Sequence, residues 1–375
     1  MESVAPPSFA EPWDKVGLHV GRPLAELRPR ILLTIDLTER VMREAEGLGE
    51  GGAGAIIAYH PPIWEPMTRL TDATPRQRVL LRAIERGMAI YSPHTALDAT
   101  PQGLNDWLCE GLSGVTRPGE RVLGDCRALR AHAAVVPEQA VKIVTFVPGP
   151  EVERVRAALA TAGAGIIGHY SVCSFTSSGT GTFLGDEKSR PSVGQPGRLE
   201  SVEEVRLEMV CSKAALALAV ETLRQFHPYE EPAIDVYELI AKPTRGVGAG
   251  RRLVLDHPVS VEVLAQRLKK HLGREHVRVA SRDMKANVKT IGVCAGAGGD
   301  LAAIAAAEGC EVFVTGEMRH HDVLAALERG QSVILGEHTS TERGYLPRLA
   351  ARIEALLPGV RCSVAQTDQD PLHVV

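Results

Sequence analysis

The stretch ILLTIDLTERVMREAEGLGEGGAGAIIAYHPP, residues 31–62, decides how the chain is read. ILLTID (31–36) is a short apolar run with the length of a buried strand. Thr38 has the side chain to cap a helix that runs to Gly47. AIIAYH (55–60) is the next strand, and Pro61-Pro62 end it by holding the chain extended. Strand, helix and strand in this order form a βαβ unit, which joins parallel neighbours.

The same grammar continues on both sides. Thr74-Pro75 opens a helix with a cap and a proline in the first turn, and Gly87 closes it before the strand MAIYSPH (88–94). Near the C-terminus TIGVCAG (290–296), CEVFVTG (310–316), SVILGEH (332–338) and VRCSVAQ (360–366) alternate with alanine-rich helices. Apolar strands flanked by helices imply mostly parallel sheets buried on both faces. Between these regions the pattern changes. VKIVTFVP (141–148), a helix over 151–162, a glycine-rich stretch, EEVRLEMVCS (203–212), a helix over 212–226 and AIDVYEL (233–239) give the order β-α-β-β-α-β of a ferredoxin-like domain. The polar stretch SSGTGTFLGDEKSRPSVGQPG (177–197) is expected to be an extended loop. The fold class is therefore α/β: an outer domain of two similar halves, residues 1–137 and 246–375, with an inserted α+β domain at 138–245. A helix at VSVEVLAQRLKKHL (259–272) leads back into the outer domain.

Composition narrows the function. At 375 residues, 44% hydrophobic and 23% charged, the chain can bury a real core and is neither disordered nor fibrous. Aromatics are 4% and the formal net charge is -4, with no basic run, so nucleic acid is not the expected partner. The seven cysteines form no CxxC and read as reduced thiols. The N-terminus lacks the basic and apolar regions of a signal peptide, and no run of about 18 apolar residues spans a membrane. A cytoplasmic protein is expected.

Four ligand-type side chains follow strand candidates: His60, Asp98 in SPHTALDAT on the loop after MAIYS, and the i,i+4 pair His338/Glu342. Side chains leaving the carboxyl ends of parallel strands converge on one crevice even from distant segments. Imidazole and carboxylate together suit zinc, iron, manganese or nickel, and the lack of thiolates argues against a closed structural zinc. His338 and Glu342 share one helix face once Thr339 or Ser340 starts a helix. Alone, each residue has a bland reading as a cap or a solvated polar group. Glu337, Glu317 and His320/His321 are candidates for a supporting layer that orients the ligands. GAGGD (296–300) is loosely like a phosphate-cradling turn, and Asn105 and Trp107 in GLNDWL read as structural.

WDKVGLHVG (13–21), AYHPPIW (58–64), SPHTALDATPQGLNDWL (92–108), TGEMRHHD (315–322) and GEHTSTE (336–342), in this order, resemble the Ngg-interacting-factor-three-like family. Its bacterial members are labelled GTP cyclohydrolase 1 type 2 homologues. GAGIIGHYSVCSFTSSGTGTF (163–183) and HPYEEPAIDVYEL (227–239) resemble the insert of its longer members, which is similar to the PII and CutA fold. The resemblance implies one or two divalent ions per chain. One would be held by His60, Asp98 and Glu342, the other by His338 and a bridging Glu342. The family normally has a second histidine directly before the one matching His60; here that position is Tyr59, so either the second ion binds weakly or His94 or water completes it. The resemblance also implies homohexamers in which the insert forms trimeric caps.

The leading functional expectation is a metal-dependent hydrolase acting on a small polar, nucleotide-like substrate, with metal-activated water as nucleophile and Glu342 or a nearby carboxylate managing protons. The alternative is a non-catalytic metal carrier or regulatory scaffold. A third reading, a vestigial site in an assembly platform, predicts metal content that does not depend on Asp98 or Glu342.

Overall fold

The structure is a computed structural model and describes residues 1–23, 26–115, 119–120, 122–134 and 136–372. The chain divides into two compact units, Met1–His132 with Thr244–Val375, and Ala133–Pro243. The sequence placed the corresponding insert at 138–245.

In the first unit β1 (Gly17–Val20), β2 (Arg30–Thr34), β3 (Ala55–Ala58), β4 (Ala89–Ser92) and β15 (Arg361–Val364) form a sheet of order β1-β4-β3-β2-β15. β4, β3, β2 and β15 are parallel and β1 is antiparallel. The βαβ reading holds in detail. Thr38 accepts a hydrogen bond from the Val41 N–H at the start of α1 (Glu39–Glu46), and Thr74 does the same for Gln77 ahead of α2 (Pro75–Glu85). Leu32, Ile56 and Ile90 face one apolar cluster while Leu33 and Ile57 face another, so the strands are buried on both sides by their two-residue period.

A second sheet has the order β11-β14-β13-β12-β10-β5, from β5 (Gly124–Ala134), β10 (Lys242–Ser260), β11 (Arg278–Ala280), β12 (Asn287–Cys294), β13 (Val312–Thr315) and β14 (Ser332–Leu335). β12, β13 and β14 are parallel; β10 and β11 pair antiparallel at their flanks. Leu33 and Ile57 of one sheet share a core with Leu253, Val293, Val314 and Ile334 of the other, joined by α4 (Leu104–Ser113), α7 (Val261–Leu272) and α11 (Leu346–Leu356). The two halves exchange strands: β15, from the C-terminal half, pairs with β2, and β5, from the N-terminal half, pairs into the second sheet. Periodicity marks a strand but not its neighbour, which packing decides.

The second unit runs β6 (Val141–Val147), α5 (Val152–Thr161), β7 (Phe175–Leu184), β8 (Leu199–Cys211), α6 (Leu216–Phe226) and β9 (Ile234–Glu238). Its antiparallel sheet of order β7-β8-β6-β9 is the ferredoxin-like arrangement, and Ile143, Val147, Val155, Leu159, Leu207, Met209 and Leu223 form its core. The expected loop over 177–197 is corrected here. Its first part is β7, paired with β8 from Phe175↔Glu208 to Leu184↔Leu199. Polar residues on both faces hid the strand, because an edge strand shielded on neither side carries no hydrophobic alternation.

Candidate metal centre

Each ligand-type residue is delivered by a strand end. The His60 N–H donates to the Ile35 carbonyl at 3.0 Å, which carries the β2/β3 ladder to the point where Pro61 stops it. After β14, Glu337 takes a left-handed backbone (φ 66°) that turns the chain, and His338 precedes the short helix α10 (Ser340–Arg343), which carries Glu342. Non-glycine residues hold such backbones at a cost of about 1–3 kcal/mol and concentrate at functional sites.

Three of the four predicted ligands meet. His60 Nε2 lies 3.5 Å from Glu342 Oε2 and His338 Nε2 lies 3.2 Å from Glu342 Oε1, and ligand atoms of all three residues fall within 4.8 Å of one another. Both imidazoles are oriented from behind: Nδ1 of His60 is 2.9 Å from Asp36 and Nδ1 of His338 is 3.0 Å from Glu317. A carboxylate on Nδ1 fixes the tautomer and aims Nε2 at the ligand position, the arrangement found behind metal-bound histidines. Glu342 is 2% exposed, and its Oε2 has no hydrogen bond of good geometry, the His60 contact being too long. A buried anionic oxygen left short of donors is matched by a cation. Gly296 (φ +59°) makes the approach possible, because a Cβ there would lie 2.6 Å from Glu342 Oε1 and 3.2 Å from His338 Nε2. The residues present therefore fit a divalent ion.

Electrostatics agree. Burial pulls the His60 pKa down, but its bond to Asp36 and the nearby Glu342 carboxylate prevail and push it up to about 10. The Glu342 contact, against burial, pushes His338 up to about 9, with help from Glu317. For Glu342 burial works upward and the two histidines win, so its carboxyl is held below the usual range. The cluster is one anion gripped by two sites that attract positive charge.

Asp98 is placed differently from the expectation. His94 and Asp98 lie on a short helix, α3 (His94–Ala99), not on a loop, and Asp98 stands outside the His60/His338/Glu342 group. Its Oδ1 accepts a 2.7 Å hydrogen bond from the Tyr59 hydroxyl, and its backbone carbonyl accepts from Asn105 Nδ2 at 3.1 Å. Burial pushes its carboxyl up to about 6, against the pull of His94 and Tyr59. Asp98 still faces the same cavity, of about 430 Å³, which Tyr59, His94, His338, Glu342, Trp13 and Trp64 also line.

Several functional neighbours carried little sequence signal. Asp36 sits two residues beyond β2, as the last letter of ILLTID. Asp14 holds His94 Nδ1 at 2.7 Å. Asn105, read as structural, bridges the Asp98 carbonyl to the Ala295 N–H (2.9 Å) and so ties the two cavity walls. Cys294 also lines the cavity, but burial and then Asp98 push its thiol pKa far up, so it offers no thiolate. Of the expected supporting layer, Glu317 takes that role. Glu337 instead pairs with Arg278, and His320/His321 open α9 (His320–Glu328) exposed to solvent. In GAGGD the Gly296 and Gly298 amides donate to Thr341 and Thr315 hydroxyls, so both are consumed within the fold rather than offered to a phosphate. The tail DPLHVV begins beside the site, where Asp370 accepts from the Thr339 hydroxyl at 2.6 Å; its last three residues lie outside the described residues.

Residues 1–371 match the family model described as Duf34/NIF3 (NGG1p interacting factor 3). NIF3-like protein 1 of Bos taurus is 35% identical over 98% of this chain and 89% of its own length. The GTP cyclohydrolase 1 type 2 homolog of Halalkalibacterium halodurans is 34% identical over 95% of this chain and 91% of its own. Among solved structures, a Bacillus cereus protein related to NIF3 is 32% identical at TM-score 0.63, and Staphylococcus aureus protein SA1388 is 25% identical at TM-score 0.73; each covers all of this chain and 96% of the solved chain. The chain belongs to the Duf34/NIF3 family.

Proposed function

We propose that this protein is a metal-dependent hydrolase acting on a small, nucleotide-like substrate. The observation that carries the reading is the His60/Glu342/His338 group, with each imidazole backed by a carboxylate. These three side chains would hold a divalent cation of the zinc, iron, manganese or nickel kind. Such an ion supplies Lewis acidity toward water and toward a carbonyl or phosphoryl oxygen of the substrate. Asp36 and Glu317 keep the ring orientations. Glu342 serves as the shared ligand, and Asp98, with a raised pKa and a bond to the Tyr59 hydroxyl, is the carboxyl group suited to take up and return a proton at the cavity wall. Trp13 and Trp64, with ring centroids 5.9 Å apart, offer partly exposed ring faces on which a base can stack. Relatives named GTP cyclohydrolase 1 type 2 homolog make GTP the first substrate to try.

The test is GTP consumption by the purified, metal-loaded protein beside its H60A/H338A variant. Metal-dependent turnover lost in the variant supports the reading. No turnover, together with delivery of the ion to a chelating acceptor, favours the carrier reading, which the partial exposure of the His60 and His338 side chains (24% and 33%) also favours. We further propose a homohexamer with the insert as a PII/CutA-type trimeric cap, supported by exposed apolar residues on that unit such as Tyr170, Phe175, Leu184 and Leu199. Light scattering at six chain masses checks it. Among the described residues no helix is long and apolar enough to cross a membrane. The seven free cysteines support placement in the reducing cytoplasm.

A further inference from the structure

We propose that the centre takes one cation, held by His60, His338 and Glu342, and that Asp98 is held by the Tyr59 hydroxyl instead of serving as a ligand. The inference rests on the metal reading above and concerns how many ions the site holds and what Asp98 does.

Three observations converge. First, among the described residues the His60, His338 and Glu342 group is the one set of three His, Cys, Asp or Glu ligand atoms close enough to hold an ion. Asp98 and His94 face the same cavity without forming another. Second, one oxygen of Asp98 is already engaged by a donor. Tyr59 donates to Asp98 Oδ1 at 2.7 Å, a bond of neutral donor to carboxylate that is stronger than a neutral pair. The other imidazole on that wall, His94, is aimed through Nδ1 by Asp14, which also accepts from the Thr95 N–H and hydroxyl, but among the described residues it belongs to no group of three such ligand atoms.

Third, Tyr59 cannot swing aside. Its side chain is 2% exposed, and its ring packs into the core that includes Leu33, Ile57 and Leu97. Its ring centroid lies 5.1 Å from that of His60 and 5.4 Å from that of His94. Its backbone is fixed on both sides, the N–H donating to Thr34 O at 2.9 Å and the carbonyl accepting from Ser92 Oγ at 2.7 Å. An aromatic ring locked at a strand end is a permanent donor to its neighbour, not a mobile ligand. The cavity is lined by His338 and Glu342 of the ion group and by the Tyr59–Asp98 pair.

The experiment is Mn(II) loading of the full-length protein, with metal counted by mass spectrometry and the spin state read by electron paramagnetic resonance. Wild type is expected to hold one Mn(II) per chain with the six-line signal of an isolated ion. Y59H, which puts an imidazole where the phenol stood and frees Asp98, is expected to hold two and to show exchange coupling between them. D98N is expected to keep one. Two coupled ions in wild type, or Y59H remaining at one, overturns the inference while leaving the hydrolase reading in place. No ion in wild type defeats the metal reading itself. Should Y59H fail to fold by circular dichroism, D98N decides: a variant that loses its ion makes Asp98 a ligand and overturns the proposal.

Discussion

The two walls of the metal pocket are built alike and end differently. On one, His60 and His338 leave strand ends, each is aimed by a carboxylate on Nδ1, and both Nε2 atoms point at the buried Glu342. On the other, Tyr59 leaves the same strand end as His60, His94 is aimed by Asp14 in the same way, and Asp98 takes the place of Glu342. One exchange of side-chain type, phenol for imidazole, changes the second wall from lone pairs awaiting a cation to a closed hydrogen bond. The lesson is that backbone and orienting carboxylates set where a ligand atom can be, while the side chain's own proton decides whether it is one.

The comparison is broken most severely at the central carboxylate. E342Q keeps the volume of Glu342 but removes its charge between two imidazoles, and stoichiometric metal retention through gel filtration should be lost, whereas D98N should retain it; equal loss in both would erase the distinction between the walls. Proton linkage comes next. With His60 at about 10 and His338 at about 9, both imidazoles carry protons at neutral pH that an ion must displace. Apparent affinity should therefore rise with pH, approaching roughly 100-fold per unit for two protons released per ion below pH 9. Calorimetry in buffers of different ionisation enthalpy counts those protons, and Y59F should leave the count unchanged.

The orienting carboxylates give a smaller contrast. D36N and E317Q should each weaken metal binding by about 10–100-fold, as loss of such partners commonly does, while D14N on the other wall should leave metal affinity alone. A chelator titration measures all three. The smallest effect concerns the substrate: W64A should raise KM for a purine nucleotide about tenfold through lost stacking, without changing metal content, since base stacking on an aromatic ring is worth about 1–3 kcal/mol. An unchanged KM removes Trp64 from the site.

Much of this was legible in the chain. The caps at Thr38 and Thr74, the parallel strands and the ferredoxin-like order follow from local chemistry, because capping hydrogen bonds and apolar periodicity act within a few residues. His60, His338 and Glu342 were visible because each ends an apolar strand or follows closely on one. Asp36, Asp14 and Asn105 were not. Each is a single polar residue in a turn or helix start, and its partner lies far off in the chain: 24 residues for His60 with Asp36, 80 for His94 with Asp14, and 190 for Ala295 with Asn105. The strand β7 escaped because its two polar faces lack the alternation by which strands are recognised.

By itself, the order of residues determined which segments become helix or strand, and which ends of strands carry imidazole and carboxylate. Tertiary packing alone decided that β15 crosses to β2, that His60 and His338 from different sheets share Glu342, and that Asp98 belongs to Tyr59 instead of to the ion group. The physical reason is range. Backbone hydrogen bonds and side-chain period act between near neighbours in the chain. A charge or donor buried at a crevice must be matched by whatever group the fold brings within about 3 Å, and that match is not written in the sequence around either partner.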